Sequence, residues 1–320
     1  MPDIYTHYIF GGKVYKNLPP EIISEIDKNI FDFAQNGPDD WAAYSFYCHF
    51  LRHNKNNRSG IMHRENTGEF LVTLADAVKR EKSKSNLFSY FCGYLCHYIL
   101  DYMTHSYIVY KSGIYNGTKE TKQYKGLHLA LEHSLDIRMM EREGRSLKDR
   151  PISHDTFTLM ALPKNMKNAI DDVYFSVYQW ENAYNDLNKA RRDLKRFNYL
   201  AEDPHGILYR IVYPFKKSFP GYFHISYYKD PYAGKDVENN AHNKWYHPFD
   251  DTLVSDMSFL DLFEYAASCS EKIIGSAYDY IYSGTVSKDT FAAMIGNKSY
   301  DTGFEPDDPR SRHKPTFDVV

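Results

Sequence analysis

The stretch CGYLCHYILDYMTHSYIVY, residues 92–110, constrains the fold more than any other part of the chain. It reads as one apolar helix carrying His97, Asp101 and His105 at four-residue steps. Each step of four turns a helix by about 400°, so the three side chains drift only about 40° per step and form one polar stripe. Gly93 continues that stripe without a side chain. The rest of the circumference is Tyr, Leu, Ile, Cys, Met and Val, and a helix apolar nearly all round belongs in a core. Burying an ionised Asp there is costly unless it is paired or bound to a metal. The stripe therefore demands a neutralising group.

Helical periodicity dominates elsewhere. EIISEIDKNIFDFAQNG sets Ile22, Ile23, Ile26, Ile30 and Phe33 on one face, follows Pro19-Pro20 and stops at Gly37. RENTGEFLVTLADAVKREKS repeats the pattern with Phe70, Leu71, Leu74, Ala75 and Val78. KQYKGLHLALEHSLDIRMMEREG, two further segments between Lys164 and Leu200, and a long stretch from Leu253 to about Tyr282 complete the set. No alternating strand stands out, so the expected class is all-α, a multi-helix bundle. Its expected organisation is a metal-binding helical core over residues 1–145 and a helical second half over 146–296 packed on it. Within that half, residues 213–252 form an aromatic loop rich in Pro and Gly, a functional flap or an irregular packed wall. Residues 297–320 are polar and aperiodic, expected as a tail on the surface or disordered.

With 320 residues a substantial core is available, and a formal net charge of −3 gives the whole chain no bias toward nucleic acid or an anionic membrane. The N-terminus has no basic start followed by an apolar core, and the longest apolar run, LFSYFCGYLCHYIL, is too short to span a bilayer. Cys48, Cys92, Cys96 and Cys269 form no CxxC pair and no disulfide spacing. Free thiols and no signal peptide lead to a cytoplasmic expectation.

The helix that follows the stripe contains HLALE, which puts His128 and Glu132 four apart among leucines. A connection over about residues 111–121 can return it alongside its predecessor, and five potential ligands then converge across one helix–helix seam. A single apolar-face histidine is more often a satisfied core residue than a ligand. Two such pairs plus a further histidine on adjacent buried helices are hard to satisfy without a cation. Imidazole and carboxylate without thiolate suit zinc and leave manganese and iron open. HExxH is absent, and the one Glu-x-x-His match, EDPH at 202–205, contains a proline.

An ordered series extends the pattern: YTHYIFG, NGPDD, GIMHREN, HYILDYMTH and HLALE. Over about residues 1–140 this resembles the zinc-dependent phospholipase C family and the single-strand nucleases that share its helical fold. The resemblance implies that His63, His97 and Asp101 hold one zinc and that His105, His128 and Glu132 hold a second. It gives His7, with Asp101 bridging, to a third site, and makes Asp39 of GPD the general base or water-orienting carboxylate. Secreted members bind the third zinc through a mature N-terminal tryptophan, whereas this chain begins Met-Pro, leaving the Pro2 amine as the substitute after Met removal. The Asp101-to-His105 spacing is also shorter here, one continuous helical turn in place of a proline-containing bend.

What the resemblance implies is metal-assisted hydrolysis of a phosphate ester, most readily a diester. Two zinc ions would polarise the phosphoryl oxygens and lower the pKa of a bound water, and the resulting hydroxide would attack phosphorus with Asp39 positioning it or taking its proton. The expected partner is a phosphate-ester small molecule or a phospholipid headgroup. A nuclease role is the second enzymatic option, disfavoured by the lack of a basic groove. The alternative from another class is a non-catalytic metal-binding helical protein.

The remaining histidines read as ordinary. His49 and His53 suit a helix face near solvent, His133 points away from His128, and His242 and His247 lie beside Trp245, where substrate contact is the lesser reading. Asp136, one turn beyond Glu132, is the expected acceptor for a ligand imidazole. The charge run KARRDLKR reads as a solvated helix face with phosphate attraction as a minor reading.

Overall fold

The computed structural model describes residues 3–48, 55, 57–146, 152–215 and 226–320. Helices make up nearly all its regular structure, as the periodicity requires. The organising element is α6 (Ser85–Ser112), 28 residues long and buried along most of its length. Four helices are laid against it before and after in the chain: α1 (Ile4–Asn17), α3 (Lys28–Ala34), α5 (Thr67–Arg80) and α7 (Leu127–Arg142). A later helix, α12 (Phe259–Tyr278), covers another side. Gly93 belongs to this packing: a Cβ there would stand 2.2 Å from the Phe31 carbonyl oxygen, so its missing side chain lets α3 lie directly on α6. One buried cluster runs from Phe10 through Tyr98 and Tyr174 to Tyr300.

Several helix boundaries differ from the periodic reading, each for a local reason. The segment from Glu21 to Gly37 is not one helix. It divides into α2 (Pro20–Ile23) and α3, because the Asp27 carboxylate accepts from the Asn29 and Ile30 amides at 2.9 and 3.3 Å and starts a new helix. The long segment expected from Leu253 begins only at Phe259, where Ser258 and Asp261 form a reciprocal capping box. Residues before it belong to a strand. β1 (Trp245–His247) pairs antiparallel with β2 (Asp250–Ser255), which corrects the expectation of no strand. Leu253 and Val254 of this hairpin are both exposed, so no buried-face alternation betrays it.

Within the aromatic region 213–252, the part around Trp245 is a packed wall. Trp245 lies 5.4 Å from Tyr107, ring to ring, and donates its indole N–H to the Met257 carbonyl, while the Tyr107 hydroxyl donates to Val237. Residues 216–225 of that region lie outside the described residues.

α9 (Lys167–Tyr178) and α10 (Ala183–Glu202) complete the bundle, with α4 (Asn57–Met62), α8 (Ile152–Thr156), α11 (Ile207–Val212) and α13 (Lys288–Ile295) as short connecting pieces. In α10 the charge run is only partly a solvated face. Arg191 is completely buried, its guanidinium 3.3 Å from Asp40 and 4.6 Å from the Phe33 ring. Asp40 sits in the 3-10 helix Gly37–Ala43, so this ion pair docks α10 onto the segment that carries Asp39.

Candidate metal centre

Four imidazoles of the centre are oriented by a contact to their outer nitrogen. His97 Nδ1 donates to the Gln35 carbonyl at 2.9 Å, and His63 Nδ1 donates to Ser59 at 2.7 Å. His105 Nδ1 donates to Asp301 at 2.9 Å, and His128 Nδ1 lies 3.2 Å from the Ser112 hydroxyl. A proton fixed on Nδ1 leaves the Nε2 lone pair facing inward, the tautomer a metal ligand needs. Gly37 supports this arrangement: its backbone has φ +48° and a Cβ would stand 2.3 Å from the His97 ring.

The inward atoms fall into connected groups. Around Asp101 stand His7 Nε2 at 3.4 Å, His97 Nε2 at 3.5 Å and His63 Nε2 at 3.8 Å. Asp39 approaches the same place, 3.3 Å from His63 Nε2 and 3.8 Å from His97 Nε2. The His7 and His97 rings stack with centroids 4.0 Å apart. One turn along α6, His105 Nε2 is 3.2 Å from His128 Nε2, which is 2.8 Å from Glu132 Oε1. Potential ligand atoms therefore gather as His63–His97–Asp101, as His7–Asp39–His97 and as His105–His128–Glu132, each group within 4.8 Å.

These residues fit a cation on the chemistry of the chain itself. Asp101 is wholly buried and neither of its oxygens accepts a hydrogen bond; His97 Nε2 and both nitrogens of His7 are likewise buried without one. Burial, reinforced by His7 and His63, holds His97 far below the usual histidine range, and burial does the same to His105. A neutral His97 cannot neutralise Asp101, and His63 is engaged by Asp39. Burial also pushes the Asp39 carboxyl up, to about 6, against the pull of His63. His63 goes the other way, to about 9, because the Asp39 carboxylate outweighs its burial.

His63 also borders a cavity of about 520 Å³, together with His105, His128 and Glu132. Its apolar walls are Val109, Ile114, Tyr115, Tyr124 and Phe249, and Arg64 and Asp301 add charge.

His7, Asp39, His63, His97, Asp101, His105, His128 and Glu132 lie together in this assembly, but several expectations around it change. Among the described residues the Asp136 carboxylate bonds to no imidazole. It accepts from the Tyr5 and Thr6 amides at 3.0 and 2.9 Å and so ties α7 to the turn of α1 that presents His7. His133 stacks on Tyr227 and sits 3.0 Å from Asp3, outside the centre. Neither His242 nor His247 lines the cavity; His247 Nε2 lies 3.0 Å from the Thr302 carbonyl oxygen. His49, His53 and the Pro2 amine lie outside the described residues.

The tail expectation fails at its start. Residues 297–304 form a strap over the centre: the Tyr300 amide donates to the His63 carbonyl at 2.8 Å, and the Tyr300 ring is buried 5.0 Å from the His63 ring. The strap's Asp301 carbonyl is the acceptor for His105, a role without a signal in the sequence because any residue carries a carbonyl.

A predominantly helical fold here gathers imidazoles and carboxylates that could hold metal ions beside an apolar-walled cavity. A sequence profile of the zinc dependent phospholipase C family matches residues 2–187, more than half of the chain, and the chain belongs to that family. Membership implies a zinc-dependent hydrolase of the phospholipase C type, with a phospholipid or phosphate-ester substrate. No curated protein and no solved structure matches the chain. Among the described residues, no helix is long and apolar enough to cross a membrane.

Proposed function

We propose that the chain is a zinc-dependent phosphodiesterase acting on headgroup-type phosphodiesters. The observation that carries this reading is Asp101: an ionisable group wholly buried, without a hydrogen bond to either oxygen, and ringed by three imidazoles within 3.8 Å. His63, His97 and Asp101 would hold one zinc, and His105, His128 and Glu132 a second. His7 would hold a third with Asp101, or with Asp39 and His97, which lie within the same reach. Zinc supplies Lewis acidity there, making water acidic near neutral pH and screening charge on phosphoryl oxygens.

The side chains contribute the rest. The Asp39 carboxylate, 3.3 Å from His63 Nε2 and 3.8 Å from His97 Nε2, would accept the proton of the attacking water. The outer Nδ1 contacts keep His63, His97, His105 and His128 from rotating as charge builds. Val109, Ile114, Tyr115 and Phe249 hold bulk water away from the ester and seat its apolar part.

The test is hydrolysis of p-nitrophenyl phosphocholine by the zinc-equilibrated protein and by Asp39→Asn. The substitution is expected to keep the zinc content and to lower turnover by about 10²–10⁴. Undiminished turnover in the variant would remove Asp39 from the reaction. If the zinc-loaded wild type hydrolyses no phosphate ester, the non-catalytic metal-binding reading takes its place.

A further inference from the structure

The outer surface of α10 and α11 combines two features that no part of the metal centre uses. The first is apolar exposure. α11 reads ILYRIV, yet none of its residues is buried. Ile207 and Ile211 are 61% and 62% exposed, and nearby in the chain Tyr199, Leu200 and Phe215 are exposed to 72%, 56% and 57%. A six-residue helix with this composition does not remain at the surface for its own stability, and exposed patches of this kind mark interaction sites.

The second feature is charge. Between Ala183 and Phe215 every acidic residue is buried: Asp186, Asp193, Glu202 and Asp203. Asp186 meets Arg58, Glu202 accepts from Ser153, and Asp203 caps α11 through the Leu208 and Tyr209 amides, while Asp193 accepts from the Ser45 amide and pairs with Lys189 and Arg196. The exposed charges over the same stretch are Arg192, Arg196 and Arg210, of which Arg196 shares the buried Asp193. On α10, positions 192, 196, 199 and 200 share one helical face, so Arg192 and Arg196 lead directly into Tyr199 and Leu200. A chain with net charge −3 thus presents, along α10 and α11, exposed aliphatic and aromatic side chains whose exposed charged neighbours in that stretch are all cations.

We propose that this face docks the protein onto an anionic phospholipid bilayer. Ile207, Ile211, Leu200 and Phe215 enter the boundary between headgroups and acyl chains, Tyr199 sits at headgroup level, and Arg192, Arg196 and Arg210 meet lipid phosphates. Aliphatic groups inserting at the interface beside arginines and an aromatic are the combination that binds bilayer surfaces without spanning them. An acidic protein partner would satisfy the arginines but not the exposed Ile207, Ile211 and Phe215. The proposal rests on the phosphodiesterase reading only in that a phospholipid substrate makes such a surface useful; docking itself needs no turnover.

The experiment is co-sedimentation of the full chain with vesicles of phosphatidylcholine alone and of phosphatidylcholine with 30% phosphatidylserine (roughly the anionic fraction that lets basic segments bind), in a chelator so that no lipid is hydrolysed. Wild type is expected to bind the anionic vesicles, and to be released by high salt. Ile207→Ser with Ile211→Ser, and separately Arg192→Glu with Arg210→Glu, are each expected to weaken binding at least tenfold. All these positions are exposed, so thermal melting should be unchanged, and p-nitrophenyl phosphocholine hydrolysis, where present, should persist. Equal binding by variants and wild type, or no binding by wild type to either vesicle, would overturn the proposal. So would a wild-type dimer that both variants dissolve, since that assigns the face to a second copy. Binding without hydrolysis of any phosphate ester would instead remove the enzymatic reading and leave the docking face standing.

Discussion

Single residues in this protein owe their roles to whichever neighbour claims their charge. Asp3 and Asp136 stand near one another beside Tyr227, yet they behave oppositely. Burial alone pushes both up, but His133, Tyr227 and the Ile4 amide outweigh it at Asp3 and bring that carboxyl down to about 2. Asp136 remains well above the usual range from burial and the Asp3 charge. A carboxyl lowered on folding stabilises the folded state above its unfolded pKa, and that contribution is lost as pH falls through the folded value. Asp3→Asn is therefore expected to cost up to about 2 kcal/mol at pH 7, with the difference from wild type shrinking between about pH 4 and pH 2. Denaturant melts across that range measure it, and a penalty independent of pH would mean that Asp3 acts only as the cap of α1. Arg191 is the second case. Removing one partner of a buried ion pair leaves the other charge stranded, so Arg191→Met should destabilise by about 3–5 kcal/mol. Chemical unfolding would show it, and a loss below about 1 kcal/mol would mean that Asp40 simply takes up a proton.

At the level of elements, α6 works because its neighbours reach its backbone. Gly93 admits α3, and α3 in turn ends where the Gln35 carbonyl holds His97 Nδ1 at 2.9 Å. A methyl group at residue 93 would meet the Phe31 carbonyl oxygen at 2.2 Å, so the two helices must move apart. Gly93→Ala is expected to cost about 1–3 kcal/mol, the usual range for overpacking. It should also weaken zinc retention, because the Gln35 acceptor moves with α3. Melting and metal content after dialysis test both, and a variant with a wild-type melt would show that α3 slides freely. The uninterrupted helix through Asp101 and His105 has a consequence too: the inner and outer ligand groups are held one helical turn apart on a single rigid rod.

Across the whole molecule, the centre joins segments from both ends of the chain. The strap is shaped by Gly303, whose φ is +70° and whose Cβ would stand 2.9 Å from the Tyr102 carbonyl oxygen. Gly303→Val should lift Asp301 from His105 and reduce retained zinc by one ion per chain, while circular dichroism stays helical. Full zinc retention in that variant would show that His105 keeps its orientation without the strap. Metal also enters global stability, because any ligand that binds only the folded state stabilises it. Stripping zinc with a chelator is expected to lower Tm by about 5–10 °C, restored on readdition. An unchanged Tm would mean that the centre adds nothing to stability through bound metal.

The residues of the centre could be found in the sequence because burial makes polarity conspicuous. His97, Asp101 and His105 are misfits on an apolar helix, and His128 and Glu132 repeat the misfit at the same spacing, so local periodicity alone put them on one face. The all-helical class followed from the same signal, which depends only on side chains three and four residues apart. Tertiary structure alone decided what lies far apart in the chain. The Asp301 and Gln35 acceptors are backbone carbonyls without a residue signature, and the strap looked like a tail because its few buried groups, Ser299 and Tyr300 among them, follow no period. Arg191 and Asp136 likewise read as a solvated cation and an outer-shell acceptor until packing supplied Asp40 and the first turn of α1 as their partners. A local pattern shows which groups must be neutralised, but which groups neutralise them depends on long-range contacts that only the folded chain brings together.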